Sequence, residues 1–335
     1  MEPTDAGRCS RRDFLKAAAL STAAIAIDAR FAQAGETMKP TSSNQPVLPR
    51  RPYGRNGIQL SIIGMGGIVV MNAEQAHANR IVAEFVERGV NYFDVAPSYG
   101  NAEEKLGPAL EPYRKDCFLA CKTTQRTGTG AAAELQRSLA TLRTDYFDLY
   151  QLHAVTDVGK DIDTVFTKGG AMETFIAAKK SGQVRHLGFS AHSVEAALTA
   201  MDRYDFDSIL FPVNFANYHV GNFGPQMMAR AQDKGLSRLA LKAMARQKWP
   251  PEHPDRKKFP KCWYQPLSDP HEVELALRFT LSQPVTAALP PGDEALFRLA
   301  LDLAPRFRPI TAPETQELTA LAAGLDPVFR FTGTA

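Results

Sequence analysis

The chain has 335 residues and a formal net charge of +3, with 44% hydrophobic and 22% charged residues, an ordinary globular composition. That length supports one large domain with a substantial core. A charge so balanced argues against a nucleic-acid or anionic-membrane partner, and no basic cluster is interleaved with aromatics.

Residues 1–34 stand apart from the fold. Ser10-Arg-Arg-Asp-Phe-Leu-Lys16 reads as a twin-arginine export signal, followed by an apolar run from Ala17 to Ile27 and a small-x-small cleavage site, Ala32-Gln-Ala34. The run is too short for a permanent membrane anchor. The expectation is a periplasmic protein, exported by the twin-arginine machinery and cleaved after Ala34. Residues 35–50 are polar and proline-rich and read as a flexible linker, leaving residues 51–335 as the folded domain.

Tyr53 to Ser61 holds two short extended runs about Asn56-Gly57, a hairpin signal. Ile62 to Gly67 reads as a strand, and the chain then alternates. Helices are expected at Glu74–Arg88, Ala102–Leu110, Ala131–Leu142, Gly170–Lys180, Ser193–Met201, Pro225–Lys234, His271–Leu281 and Asp293–Leu303. Between them lie strands at Val90–Phe93, Cys117–Lys122, Phe147–Leu152, Val184–Gly188, Ser208–Val213, Arg238–Leu241 and Val285–Leu289. Apolar strands alternating with helices imply a parallel sheet covered on its outer face. Eight such units predict an α/β fold, a (β/α)8 TIM barrel with an N-terminal β-hairpin and a C-terminal helical extension. A doubly wound open sheet is the rival, but no strand-turn-helix carries GxGxxG.

In such a barrel the working face is the carboxyl end of the strands. Asp94, Lys122 and His153 close three successive apolar strands, and Tyr99 lies five residues beyond Asp94. An ionisable group there is costly without a partner. The loop from Ala243 to Pro270 is the longest and carries Trp249, Trp263 and Tyr264, which suit either a substrate lid or surface packing. His192 reads as a loop residue near the pocket, and His186 as a mid-strand residue.

Phe93-Asp94-Val-Ala-Pro-Ser-Tyr99-Gly, the strand-end Lys122, Asp145-Tyr-Phe-Asp-Leu-Tyr-Gln-Leu-His153 and Val184-Arg-His-Leu-Gly-Phe-Ser190 resemble the aldo-keto reductases. The likeness runs from about Tyr53 to Ala304 and matches the family's Asp/Tyr/Lys/His tetrad in order. It implies that the hairpin plugs the barrel floor and that a nicotinamide cofactor, NADP or NAD, donates hydride to a small aldehyde or ketone. It further implies Tyr99 as the proton donor, Lys122 and Asp94 as its tuning pair, and His153 as the group orienting the carbonyl. Ser190 and Asn214 would grip the carboxamide, while Gly292 and Lys242 would meet the pyrophosphate.

Some positions depart from the family pattern. Ala191 follows Ser190 where many members have Asn, and the strand Leu239-Ala-Leu-Lys242 ends without an aromatic to stack on the nicotinamide. The turn Pro290-Pro-Gly-Asp-Glu294 is acidic, with Arg298 the first cation beyond it; its carboxylates repel a 2′-phosphate and suit a ribose hydroxyl, which makes NAD at least as plausible as NADP. The alternative function is therefore a cofactor-holding or regulatory barrel of weak turnover. Cys117 and Cys121, about 13 Å apart along one strand, cannot bridge each other. With Cys262 they read as buried, inert thiols rather than metal ligands.

Overall fold

The computed structural model describes residues 47–333; the export signal and most of the expected linker lie outside the described residues. β1 (Arg50–Tyr53) and β2 (Ile58–Ser61) pair as an antiparallel hairpin. Its turn needs left-handed backbone, supplied by Gly54 at φ +63° and Gly57 at φ +77°. The structured chain begins inside the stretch expected as linker: Leu48 is already buried, and Arg50 is paired with Ser61.

The barrel strands are β3 (Met65–Gly66), β4 (Tyr92–Asp94), β5 (Phe118–Thr123), β6 (Phe147–Val155), β7 (Val184–Ala191), β8 (Ser208–Pro212) and β9 (Ser237–Leu241). Within the long loop that follows, β10 (Ala245–Gln247) and β11 (Gln265–Pro266) form a small antiparallel ladder, and β12 (Ala287–Leu289) completes the barrel. The eight barrel strands are parallel and run in chain order around the sheet. A parallel bridge between Ile63 and Ala288 joins its two edges, with the Ala288 N–H donating to the Ile62 carbonyl at 2.8 Å.

The helices are α1 (Gln75–Glu87), α2 (Ala102–Leu110), α3 (Gly128–Thr141), α4 (Thr164–Phe166), α5 (Ala171–Ser181) and α6 (Val194–Arg203). They continue with α7 (Phe215–His219), α8 (Pro225–Asp233), α9 (Pro270–Ser282), α10 (Glu294–Leu303) and α11 (Ala312–Ala322). Their apolar residues recur at helical spacing, so each has one face to bury. In α1 that face is Ala78, Ile81, Val82 and Phe85, and Phe85 meets Phe297 of α10 at 4.6 Å between ring centroids. The expected C-terminal extension is α11, tied to α9 where the buried Arg278 donates to both Glu314 oxygens at 2.7 and 2.6 Å.

Two apolar layers result. The larger lies between strands and helices, and the smaller fills the barrel with Tyr92, Phe118, Leu149, Leu210 and Leu239. Tyr53 and Leu60 of the hairpin belong to that inner layer, and the Tyr53 hydroxyl donates to Ser208 Oγ at 3.0 Å. The hairpin therefore closes one end of the barrel by apolar burial. β7 runs to Ala191, beyond the Gly188 expected, because the bulged end of β6 pairs Val155 with Ala191. Cys117, Cys121 and Cys262 are buried free thiols.

Candidate active site

At the carboxyl end of β4, Asp94 is 1% exposed and accepts three side-chain donors from three adjacent strands. The Tyr92 hydroxyl reaches its Oδ2 at 3.3 Å and Gln151 Nε2 reaches the same oxygen at 3.1 Å, while the Lys122 ammonium donates to Oδ1. Lys122 is 0% exposed and gives a second hydrogen bond to the Val95 carbonyl at 3.2 Å. Burial alone would lower the lysine's pKa, but Asp94 and then Tyr99 more than offset it and hold the ammonium above its ordinary value. This is a buried charge made tolerable by pairing.

The loop after β4 returns Tyr99 over that pair. Lys122 Nζ lies 5.0 Å from the centroid of the Tyr99 ring. Burial raises the phenol's pKa, and the nearby Lys122 charge pulls against that rise. The phenol thus carries its proton at neutral pH, beside a cation placed to stabilise its anion.

His153, at the end of β6, meets Tyr99 edge to face with ring centroids 5.5 Å apart. Burial, then the charge of Lys122, pushes its pKa down to about 2, so the imidazole is neutral. Ser98 Oγ stands 3.2 Å from His153 Nδ1. Beyond the histidine the chain turns through Ala154 at φ +53°, fixed where the Ala154 N–H donates to Ser190 Oγ at 2.7 Å. Arg126 clamps the same turn from outside, donating to the His153 carbonyl at 2.8 Å and to Asp161 Oδ1 at 2.8 Å.

Asp94, Tyr99, Lys122 and His153 line one cavity of about 150 Å³, together with Ser190, His192, Lys242, Gly292, Gly66 and the loop aromatics Trp263 and Tyr264. Seven of the eight residues expected at the site are brought together: Asp94, Tyr99, Lys122, His153, Ser190, Lys242 and Gly292. Asn214 is not among the lining residues. Its Oδ1 instead caps α7 by accepting from the Asn217 N–H at 2.9 Å, and its Nδ2 has no partner among the described residues. Asn217 Oδ1 in turn accepts from the Phe329 N–H at 3.2 Å, and the Phe331 N–H donates to the Gly221 carbonyl at 2.8 Å. A segment far along the chain is thereby brought beside the cavity, with Phe329 stacked on the lining residue His192 at 4.9 Å between ring centroids.

The long loop after β9 does sit on this face, and Trp263 and Tyr264 reach the cavity. Trp249 does not line it; its indole N–H donates to the Cys262 carbonyl at 2.8 Å and ties the loop to itself. Lys242, just past β9, adopts φ +62°, a costly conformation for a residue with a Cβ. Its Nζ lies 3.4 Å from His192 Nε2 and faces the rings of Trp263 at 5.2 Å and Phe329 at 5.4 Å.

A flat ring has room at Gly66, where a Cβ would meet nothing within 4 Å. Gly292, by contrast, packs so closely on Ile68 that a Cβ would fall 2.4 Å from Ile68 Cγ2. With the open floor at Gly66 and the hydroxyl of Ser190 at its edge, the residues present fit a nicotinamide ring.

Comparison with known proteins agrees with this arrangement. The aldo/keto reductase family model matches residues 62–247. The chain belongs to the aldo/keto reductase family. With that family goes the class of NAD(P)-dependent oxidoreductases. Over 158 residues this chain is 32% identical to the uncharacterized oxidoreductase YqkF of Bacillus subtilis, a match covering 43% of this chain and 49% of that one. It thus spans about half the length of that relative. A longer likeness, 23% identical over 309 residues, covers 84% of this chain and 96% of the L-galactose dehydrogenase of Arabidopsis thaliana. The holo structure of an aldo-keto reductase from Bacillus halodurans superposes with a TM-score of 0.64 at 24% identity, covering 83% of this chain and 98% of that one, a likeness of fold.

Ser98, Gln151 and Tyr92, which hold His153 and Asp94 in place, were not singled out by the sequence. Gln151 and Tyr92 lie two residues from His153 and Asp94 along their strands, so the alternation of strand side chains puts them on the same face. That signal was available. Phe329 carried none, because a long separation divides it from the Asn217 that holds it.

Proposed function

We propose that this protein reduces a small aldehyde or ketone to an alcohol, drawing hydride from NADH or NADPH, with Tyr99 as general acid. The observation that carries this reading is the meeting of Tyr99, the Lys122–Asp94 pair and neutral His153 in one cavity. The bound nicotinamide would supply the hydride. The neutral His153 holds a substrate carbonyl toward Tyr99, and Ser98 fixes the imidazole ring. Tyr99 gives its proton to the carbonyl oxygen, and the Lys122 ammonium stabilises the phenolate left behind. Asp94 keeps that ammonium charged in a site that excludes water. Ser190 and the unpartnered Nδ2 of Asn214, on neighbouring strand ends, are the groups that would hold the carboxamide.

The cofactor preference expected is NADH. Arg298, the first cation after β12, is already committed to Glu294 at 2.7 Å and to Glu84, and His77 also contacts Glu294 at 2.7 Å. A 2′-phosphate would meet paired arginine and spare carboxylate, whereas ribose hydroxyls would meet acceptors. Fluorescence titration should return tighter binding of NADH than of NADPH; the reverse order would sink this assignment.

The decisive test of the activity is Tyr99→Phe. Turnover of a generic aldehyde should fall by about 10²–10⁴-fold, while cofactor binding by fluorescence quenching stays within twofold. A variant that turns over like the parent would remove Tyr99 from the mechanism. The second reading, a cofactor-holding barrel of weak turnover, is favoured by the small cavity and by the diversion of Asn214 to capping α7. It would be supported by nicotinamide binding without turnover across a broad carbonyl panel. Residues 10–34 support export by the twin-arginine pathway; replacing Arg11 and Arg12 by Lys should leave the protein in the cytoplasmic fraction.

A further inference from the structure

The charge within the cavity is lopsided. Its lining contains Lys122, Lys242 and Lys261 but a single carboxylate, Asp94, which is spent on Lys122. Lys261 is anchored, donating to the Val69 carbonyl at 2.7 Å, and feels the carboxylates of Asp293 and Glu294 near the Gly292 end. Lys242 has no such company. No carboxylate pairs with it among the described residues, and its one polar neighbour is the neutral imidazole of His192. It is 7% exposed, and a left-handed backbone turn aims it into the cavity from the end of β9.

Lys242 was expected beside Gly292 at the cofactor pyrophosphate, yet its Nζ contacts His192, Trp263 and Phe329. The charges it acts upon are those of the carbonyl end: it opposes protonation of His153 and His192, and is itself opposed by Lys122. We propose that Lys242 recognises an anionic group on the substrate, so that the carbonyl compound reduced here carries a carboxylate beyond its reacting carbon. Trp263 and Phe329, whose rings meet edge to face with centroids 6.1 Å apart beside the ammonium, would pack against the apolar body between the two ends of such a molecule. This assignment rests on the reductase reading and deepens it.

Burial, with Lys122 adding to it, brings the pKa of Lys242 down to about 7, so its charge is present mainly below that pH unless a carboxylate arrives. The titratable groups facing it are Lys122, His153 and His192, with Asp94, Tyr99, Tyr264 and Lys261 around the same cavity. His153 and His192 stay neutral, at about 2 and about 3, and Lys122 stays charged. Preference for a carboxylated substrate should therefore weaken as pH rises above 7, through Lys242 alone.

The test compares 4-carboxybenzaldehyde with its methyl ester, using the protein and its Lys242→Met and Lys242→Arg variants, each checked for folding by circular dichroism. The parent should favour the carboxylate at least tenfold in kcat/KM at pH 6. Lys242→Met should bring the ratio near one, and Lys242→Arg should keep most of it. Equal ratios in parent and Lys242→Met overturn the proposal. So does a Lys242→Met variant whose only defect is weaker cofactor binding, which would place the cofactor pyrophosphate at this lysine instead. A second readout needs no turnover: 4-carboxybenzyl alcohol should quench tryptophan fluorescence of the cofactor-free protein more tightly than its methyl ester, through Trp263. Loss of that difference in Lys242→Met supports the assignment even if no carbonyl is reduced; absence of it in the parent refutes the assignment independently of the reductase reading.

Discussion

At the Asp94 end of the cavity, charge is answered by charge: Lys122, Tyr92 and Gln151 converge on one carboxylate from three neighbouring strands. At the Lys242 end, an ammonium just as deep in the protein has a neutral histidine and two aromatic faces for company. The first end is built on strands whose register is set by the barrel. The second is built from the β9 turn, the long loop and the Phe329 segment, elements that meet only through tertiary contacts. An ionised side chain without a counter-charge is poorly stable in a folded interior, so the second end stores an interaction that the first has already made. The lesson is a division of labour: a rigid reaction centre fixed by the sheet, and a recognition end left electrically incomplete for a ligand to finish.

The largest effect expected from breaking this contrast is at the completed end. Lys122→Met leaves Asp94 buried without its cation and should cost about 3–5 kcal/mol of unfolding free energy, measured by urea denaturation, besides abolishing turnover. A loss below about 1 kcal/mol would mean that the pair is far less buried than the structure shows.

At the incomplete end the sign reverses. Lys242 has a folded-state pKa lowered to about 7 from 10.5, so between those values the unfolded chain holds a proton that the folded chain lacks. Stability of the parent, measured against Lys242→Met, should therefore rise as pH climbs through that window, by at most about 1.4 kcal/mol per pH unit. Below pH 7 the methionine variant should be the more stable protein. A difference that stays flat from pH 7 to pH 10 would show that Lys242 is charged and solvated.

The smallest change expected is Ser98→Ala. It removes the hydroxyl at His153 Nδ1 and frees the imidazole to rotate, while Tyr99, Lys122 and Asp94 stay in place. A fall in kcat of roughly tenfold, with cofactor affinity unchanged, is the expected result for a positioning group within the general acid-base machinery. An unchanged kcat would mean that Tyr99 and the β6 turn orient the ring unaided.

How far the sequence could be read follows the same division. Asp94, Lys122 and His153 stand out because short apolar strands rarely end in such residues by chance, and strand ends in a barrel share one face. The hairpin was readable from Asn56-Gly57 between extended runs, although its first strand begins earlier than the turn suggests. Asn214 was read only as a cofactor residue, whereas its Oδ1 also satisfies the first turn of α7, a use that a cap residue has regardless of the ligand. The turn of π-type helix at Val158–Asp163 left no periodic signal; Asp161 builds it by accepting from the Thr156 and Asp157 N–H groups at 2.7 and 2.9 Å. Lys242 was recognised as a site residue, but its isolation was not, since a missing partner cannot be seen along one dimension.

The placement of Phe329 also has a bearing on how the protein comes to work. The pocket that starts at Gly66 ends at Gly292, and the His192 ring on its wall is backed by Phe329, a residue translated later still and held by Asn217 from the middle of the chain. A nascent barrel on the ribosome can therefore assemble its reaction centre well before it can enclose a ligand. The last support of that wall arrives late in synthesis, once the Phe329 segment has folded back against His192 and Lys242.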